Sequence, residues 1–128
     1  MTENYEKDFV PYEPSLDLKE LEFDELCIKY YWTDGMFTKT YESPLNHNKR
    51  DNLISAPLYQ QAFRWFREKY GLYHSIGLDN SLEDDVNCDY QIINHNQSIS
   101  ELETNFKSYE EAELECLKKL IEIVKQQL

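Results

Sequence analysis

Glycine and proline are scarce in this chain, 3 and 4 residues in 128, and that scarcity excludes collagen-like and low-complexity architectures, which need far more of both. Three glycines also leave little from which to build a phosphate-cradling loop. None of Gly-x-x-x-x-Gly-Lys, Gly-x-Gly-x-x-Gly or Gly-x-Ser-x-Gly occurs, which disfavours nucleotide enzymes. Cysteine is sparse and odd in number. Cys27, Cys88 and Cys116 stand far apart, without a Cys-x-x-Cys pair, and point to buried free thiols in a reducing cytoplasm rather than to a disulfide framework. No run approaches the roughly 18 apolar residues of a membrane span. The opening residues, Met-Thr-Glu-Asn-Tyr-Glu-Lys-Asp, are acidic where a signal peptide would be basic, so neither span nor signal is expected.

Positive charge is the other deficit. Against 25 Asp and Glu stand 13 Lys and Arg, a net charge of −12, which opposes binding of nucleic acid by neutralising its phosphates. The imbalance is uneven: residues 1–26 sum to −7, residues 27–78 to +3 and residues 79–128 to −8. What the chain does have is aromatic area, 14% of its residues including 10 Tyr, and enough length for one domain with a modest core.

Along the chain, residues 1–14 lack periodicity and carry two prolines, so they read as an extended acidic lead to a single domain over 15–128. Ser15 suits an N-cap, and Leu16, Leu18 and Leu21 give a short amphipathic helix over about 16–22. The clearest local signal is Cys27-Ile-Lys-Tyr-Tyr-Trp, Thr-Asp-Gly-Met, Phe-Thr-Lys-Thr-Tyr41. Asp34-Gly35 predicts a two-residue type I′ turn that pairs Trp32 with Phe37, Tyr30 with Lys39 and Ile28 with Tyr41 on a core face. Lys29, Tyr31, Thr38 and Thr40 then face water or a partner. Residues 42–54 are a polar loop long enough to be mobile or functional.

Pro57 opens a helix to Tyr70, with Gly71 as its stop; its apolar residues cover more than half the circumference, and Gln60, Arg64 and Arg67 share the remaining stripe. Leu72, His74, Ile76 and Leu78 alternate along a strand, an acidic loop 79–85 follows, and Cys88–Asn94 makes a second strand. Residues 95–107 read as polar connection. Ser108 and Glu111 form a capping box that opens a long helix over about 109–126, apolar on the side of Ala112, Leu114, Cys116, Leu117, Leu120, Ile121, Ile123 and Val124. The expected architecture is α+β: about four antiparallel strands with the two main helices on one face, plus the short N-terminal helix.

The strings Ala56-Pro-Leu-Tyr-Gln-Gln-Ala-Phe-Arg-Trp-Phe-Arg-Glu-Lys-Tyr-Gly71 and Ser108-Tyr-Glu-Glu-Ala-Glu-Leu-Glu-Cys-Leu-Lys-Lys-Leu120 resemble a group of small bacteriophage and prophage proteins. So does Leu18-Lys-Glu-Leu-Glu-Phe-Asp-Glu-Leu-Cys27, and the likeness covers roughly residues 16–126. The resemblance implies a phage or mobile-element origin and brings no activity, cofactor or catalytic residue with it.

Candidate sites are few. His47, His74 and His95 have no second ligand at zinc spacing, and no metal or other cofactor is expected. His74, on an apolar side, reads as a core histidine; His47 and His95 read as solvated loop residues. The loop Asp79–Asp85 fails as a calcium loop twice, with Asp84 at the sharp-turn glycine place and Tyr90 at the bidentate glutamate place. No catalytic set emerges. The leading expectation is a cytoplasmic accessory protein that binds a host or phage protein, with acidic imitation of DNA as one version. Partner contacts would come from Lys49, Arg50, Arg64, Arg67, Asp79, Glu83, Asp84 and Asp85. The alternative is a metabolite or nucleotide binder or enzyme with a pocket lined by Tyr30, Trp65, Tyr73 and His74. A homodimer would also account for the broad apolar helix faces.

Overall fold

The computed structural model describes residues 4–38, 43–79, 87–94 and 100–127. Among these the chain is mixed α+β, with three α-helices and two antiparallel sheets of two and three strands. The expectation of about four strands beneath two helices is corrected to five strands in two sheets. The chain divides into two compact units, 1–65 and 66–128, with the boundary inside the second helix.

In the first unit, α1 (Tyr12–Glu20) starts four residues earlier than its apolar spacing indicates. Pro11 precedes it, and Pro14 sits in the first turn, where a missing N–H leaves nothing unpaired. Ser15 is therefore not the N-cap; it lies inside the helix, buried, and its hydroxyl donates to Val10 O at 3.1 Å. Nor is the lead extended throughout. Residues Asn4–Asp8 form a 3-10 turn, and Phe9 and Val10 are buried. The helix ends in a Schellman arrangement: Phe23 N–H bonds Leu18 O and Glu22 N–H bonds Lys19 O, each at 3.0 Å, with Glu22 at φ 67.

The hairpin forms with a different turn. Gly35 N–H donates to Trp32 O and Trp32 N–H to Met36 O, both at 2.9 Å, closing a three-residue loop 33–35 with Gly35 at φ 92. Asp34 does not take the positive φ that a type I′ turn requires; its Oδ1 accepts from Met36 N–H at 3.0 Å. The extra loop residue slips the pairing by one, so Tyr31 stands opposite Phe37. A slip of one exchanges the faces of one strand relative to its partner, here those of 27–32 relative to Phe37. Tyr31, Lys29 and Thr38, expected to face water, are buried, and Trp32 is exposed. The expected partners Lys39 and Tyr41 lie outside the described residues.

Strand β1 (Tyr30–Trp32) pairs with β2 (Leu53–Ser55), which the polar character of 42–54 conceals: β2 is three residues long, all buried, too short to show a period. The long segment before it is pinned rather than loose. His47–Lys49 is a 3-10 turn with His47 buried, Asn48 Nδ2 donates to Phe23 O, and Asn48 Oδ1 accepts from Ser55 N–H. Lys19 Nζ donates to both Arg50 O and Leu53 O at 2.7 Å. These side chains satisfy backbone groups that a buried loop would otherwise leave unpaired. Tyr31, Ile54 and Ala56 form a core cluster against which Tyr12, Leu16 and Phe37 pack.

Helix α2 (Tyr59–Tyr70) begins with Leu58 N–H on Gln61 Oε1 and ends at Gly71, at φ 68. In the second unit β3 (Leu72–Asp79), β4 (Asn87–Asn94) and β5 (Ser100–Phe106) form a meander in the order β3-β4-β5. Cys88, Tyr90, Ile92 and Asn94 point to one side and are buried. On that side lies α3 (Tyr109–Gln127), which packs on all three strands and buries the expected residues except Leu114 and Ile123, which are only partly buried. Ser108 Oγ accepts from Glu111 N–H at 3.1 Å, while Glu111 Oε2 accepts from Lys107 N–H rather than from the cap residue. The second strand missing from the sequence reading, after β2, is β5, a polar edge strand held by its ladder to β4. It carries a one-residue bulge opposite Cys88–Tyr90, with Asn105 at φ 73.

Candidate functional site

The residues able to carry chemistry are mostly locked into the interior. In the first unit Cys27, His47 and Ser55 lie together: His47 Nε2 donates to Cys27 O at 2.9 Å, and Tyr30 packs on the His47 ring at 4.6 Å. Burial pushes the Cys27 thiol up to about 12; the Ser55 hydroxyl opposes this and Glu25 adds to it. A thiol held so far above neutrality supplies no thiolate nucleophile. The Ser55 hydroxyl makes no hydrogen bond of ordinary geometry, close as it is to that thiol. His47, expected in solvent, is thus a structural strut. Lys29 is fully buried, its Nζ 5.6 Å from the centre of the Phe37 ring.

In the second unit burial and Glu113 push Cys116 up to about 12. His74 is half-buried and is pushed down to about 4, first by desolvation and then by the Arg67 cation, so its imidazole is neutral at physiological pH. It stands opposite Ile92 on the α3 side of the sheet. Tyr73 is the preceding residue of the same strand, so the two rings point to opposite faces and cannot line one wall. Tyr30 and Trp65 belong to the first unit, where Tyr30 packs on Trp32 and His47 and Trp65 packs on Phe23 at 5.2 Å. The four residues of the expected pocket are not gathered within either unit.

The expected partner contacts also scatter. Lys49 and Arg50 are exposed, Arg64 forms a 2.7 Å ion pair with Glu25, and Arg67 lies beside His74. The side chain of Asp79, and Glu83, Asp84, Asp85 and His95, lie outside the described residues. The +3 middle of the sequence does not survive as a unit of the fold. Residues 1–65 carry 12 acids and 7 bases, residues 66–128 carry 13 acids and 6 bases, and both units are acidic.

Two surfaces of the second unit have the features of a binding site, and neither stands out before the strand register is known. One is the sheet face away from α3. There Tyr73 pairs directly with Ile93, and Leu102 on β5 is the diagonal neighbour of Ile93; the three are 44%, 45% and 60% exposed. The other is the strip between β5 and α3, which holds two hollows. A hollow of about 220 Å³ under the last turn of α3 has Leu72, Ile92 and Ile123 as its apolar floor and Asn94, Glu101 and Gln126 at its rim. A second, of about 320 Å³, lies between Glu103 and Phe106 on β5 and Glu115, Lys118, Lys119 and Glu122 on α3. Tyr90 stacks on Phe106 here, and burial, followed by Glu103, pushes its phenol up to about 12. The period-two run Glu101, Leu102, Glu103, Thr104 is the sequence signal that would have found this strip.

Among the described residues no three His, Cys, Asp or Glu side chains gather to hold a metal ion, and no helix is long and apolar enough to cross a membrane. Compared with known proteins, the chain matches no family model, no curated protein and no solved structure.

Proposed function

We propose that this is a small accessory protein of the bacteriophage and prophage kind that acts by binding another protein. The observation that carries the reading is the open face of the three-stranded sheet, where Tyr73, Ile93 and Leu102 lie exposed side by side across β3, β4 and β5. Contiguous exposed apolar side chains framed by polar ones are a mark of protein interfaces, and tyrosine is enriched at their centres. The buried, protonated thiols and the neutral His74 add nothing towards a reaction centre. Imitation of DNA is the weaker version: along α3 the acids alternate with Lys118 and Lys119, each paired with a glutamate of its own helix, and such alternation is a poor copy of a phosphate row.

Affinity capture from a bacterial host lysate tests the reading. The wild-type chain retains a specific protein at moderate salt, and Ile93→Lys, which places a charge at the centre of the exposed patch, releases it while leaving the circular dichroism unchanged. Equal retention by both chains, or none by either, sinks it. A second reading, a small-ligand binder, is favoured by the 220 Å³ hollow with its apolar floor and amide rim. It predicts a rise in melting temperature with some member of a metabolite library, an effect that Ile123→Trp abolishes by filling the hollow.

A further inference from the structure

Strand β5 is an edge of its sheet, and among the described residues nothing pairs with its outer side. Alternate residues of any strand turn their N–H and C=O groups away from the inner neighbour, so this edge offers a row of backbone donors and acceptors. Its side chains divide by face. Leu102 and Thr104 lie on the open side, and Glu101 and Glu103 on the side of α3, paired with Ile92 and Tyr90 respectively.

The two hollows beside α3 meet β5 at Glu101 and at Glu103, two residues apart. That separation, about 7 Å along a strand, equals the spacing of successive same-face side chains on any strand laid next to it. The charges are also unbalanced. Lys118 pairs with Glu115 at 3.3 Å and Lys119 with Glu122 at 3.7 Å, whereas Glu101 and Glu103 have no ion-pair partner among the described residues. A second copy fits badly: antiparallel pairing of two β5 strands about Glu103 would set that carboxylate against itself, and like charges directly opposite are destabilising. Glutamates that repel a second copy select a cationic strand.

We infer that the outer edge of β5 is a docking edge for an extended segment of a partner protein with basic side chains at alternate positions, seated as a fourth strand with those side chains over Glu101 and Glu103. The inference rests on the protein-binding reading above and names the chemistry of the partner. Backbone hydrogen bonds along the edge supply attraction without regard to sequence, and the two hollows and their carboxylates select the side chains.

The probe is a labelled peptide alternating lysine with valine, as long as β5 at 7 residues, offered to the full chain. We expect saturable binding, slowed amide exchange confined to 100–106, and affinity roughly tenfold weaker for Glu101→Gln/Glu103→Gln. Glu110→Gln/Glu113→Gln, which alters charge on α3 outside the lining of both hollows, leaves the affinity unchanged. Methylation of alternate peptide amides abolishes the binding. Failure to saturate, indifference to amide methylation, or equal loss in both double variants overturns the inference, since the glutamates then only guard the edge or attract cations at large. Exchange protection of β5 that grows with protein concentration in the absence of peptide also overturns it and assigns the edge to a second copy. A lysate partner that Glu101→Gln/Glu103→Gln still retains and the peptide does not displace overturns the edge assignment alone. Peptide binding at the edge with no lysate partner overturns the protein-binding reading alone.

Discussion

Tyr31 stands opposite Phe37, ring centres 5.2 Å apart, and this pairing decides which side of the hairpin is interior. Tyr12 meets Tyr31 edge-on at 5.4 Å, Phe9 meets Phe37 at 5.5 Å, and the Tyr31 hydroxyl donates to Val10 O at 2.9 Å. The register thus ties the N-terminal residues into the first unit through one aromatic cluster.

The register sets opposite costs for neighbouring aromatics. Tyr31→Ala opens a cavity and removes one of the two donors to Val10 O, the Ser15 hydroxyl being the other, at about 3–5 kcal/mol. Trp32→Ala, one residue on, removes a ring that is 45% exposed and costs about 1 kcal/mol or less. Urea unfolding of the two variants measures this, and equal losses would contradict the slipped register.

Two left-handed residues are expected to respond in opposite directions. Gly35 at φ 92 has room for a Cβ, 3.8 Å from the Tyr12 ring, so Gly35→Ala costs only backbone strain, about 1 kcal/mol. Glu22 at φ 67 already bears that strain, so Glu22→Gly relieves it, raising stability by up to about 1 kcal/mol after the entropy of the freer unfolded chain is counted. Melting temperatures that shift in the same direction would refute the pair.

His74 makes stability fall in mild acid. Its folded-state pKa, about 4, lies below the ordinary 6.5, so between these values the unfolded chain binds the extra proton and stability drops as pH falls. The full shift corresponds to about 3 kcal/mol, reduced to nearer 1–2 kcal/mol by the solvent still reaching the ring. Against His74→Gln, the wild-type chain is therefore expected to lose stability progressively from pH 6.5 towards 4. Parallel pH curves for the two proteins would exclude this.

All three thiols are free and buried. The native chain is expected to react with a thiol reagent such as DTNB far more slowly than free cysteine, with Cys27, Cys88 and Cys116 titrating together only on unfolding. Rapid modification of any one in the folded chain would show that its cover opens readily.

Local chemistry was legible wherever it was strong and self-contained. The capping box at Ser108 and Glu111 and the long amphipathic run behind it placed α3 to within a residue at each end, and Gly71 placed the end of α2. The strands of 72–79 and 87–94 showed in their alternation. The candidate sites were far less legible, because Tyr30, Trp65, Tyr73 and His74 were joined by residue type while strand alternation separates two of them.

The sequence alone therefore determined the two long helices, the α+β class, the acidic charge and the buried thiols, since each follows from periodicity, caps or composition within a few neighbouring residues. The tertiary structure decided the rest. The hairpin register turned on whether Asp34 would take a left-handed backbone or cap Met36 N–H with its side chain; it caps, and Tyr31 replaces Trp32 opposite Phe37 on the core side. His47, Asn48 and Lys19 became structural because distant carbonyls needed donors, and β5 became a strand because β4 offered it a ladder. Those partners lie outside the few residues over which a local pattern acts, and no such pattern encodes which of two acceptable geometries they will select.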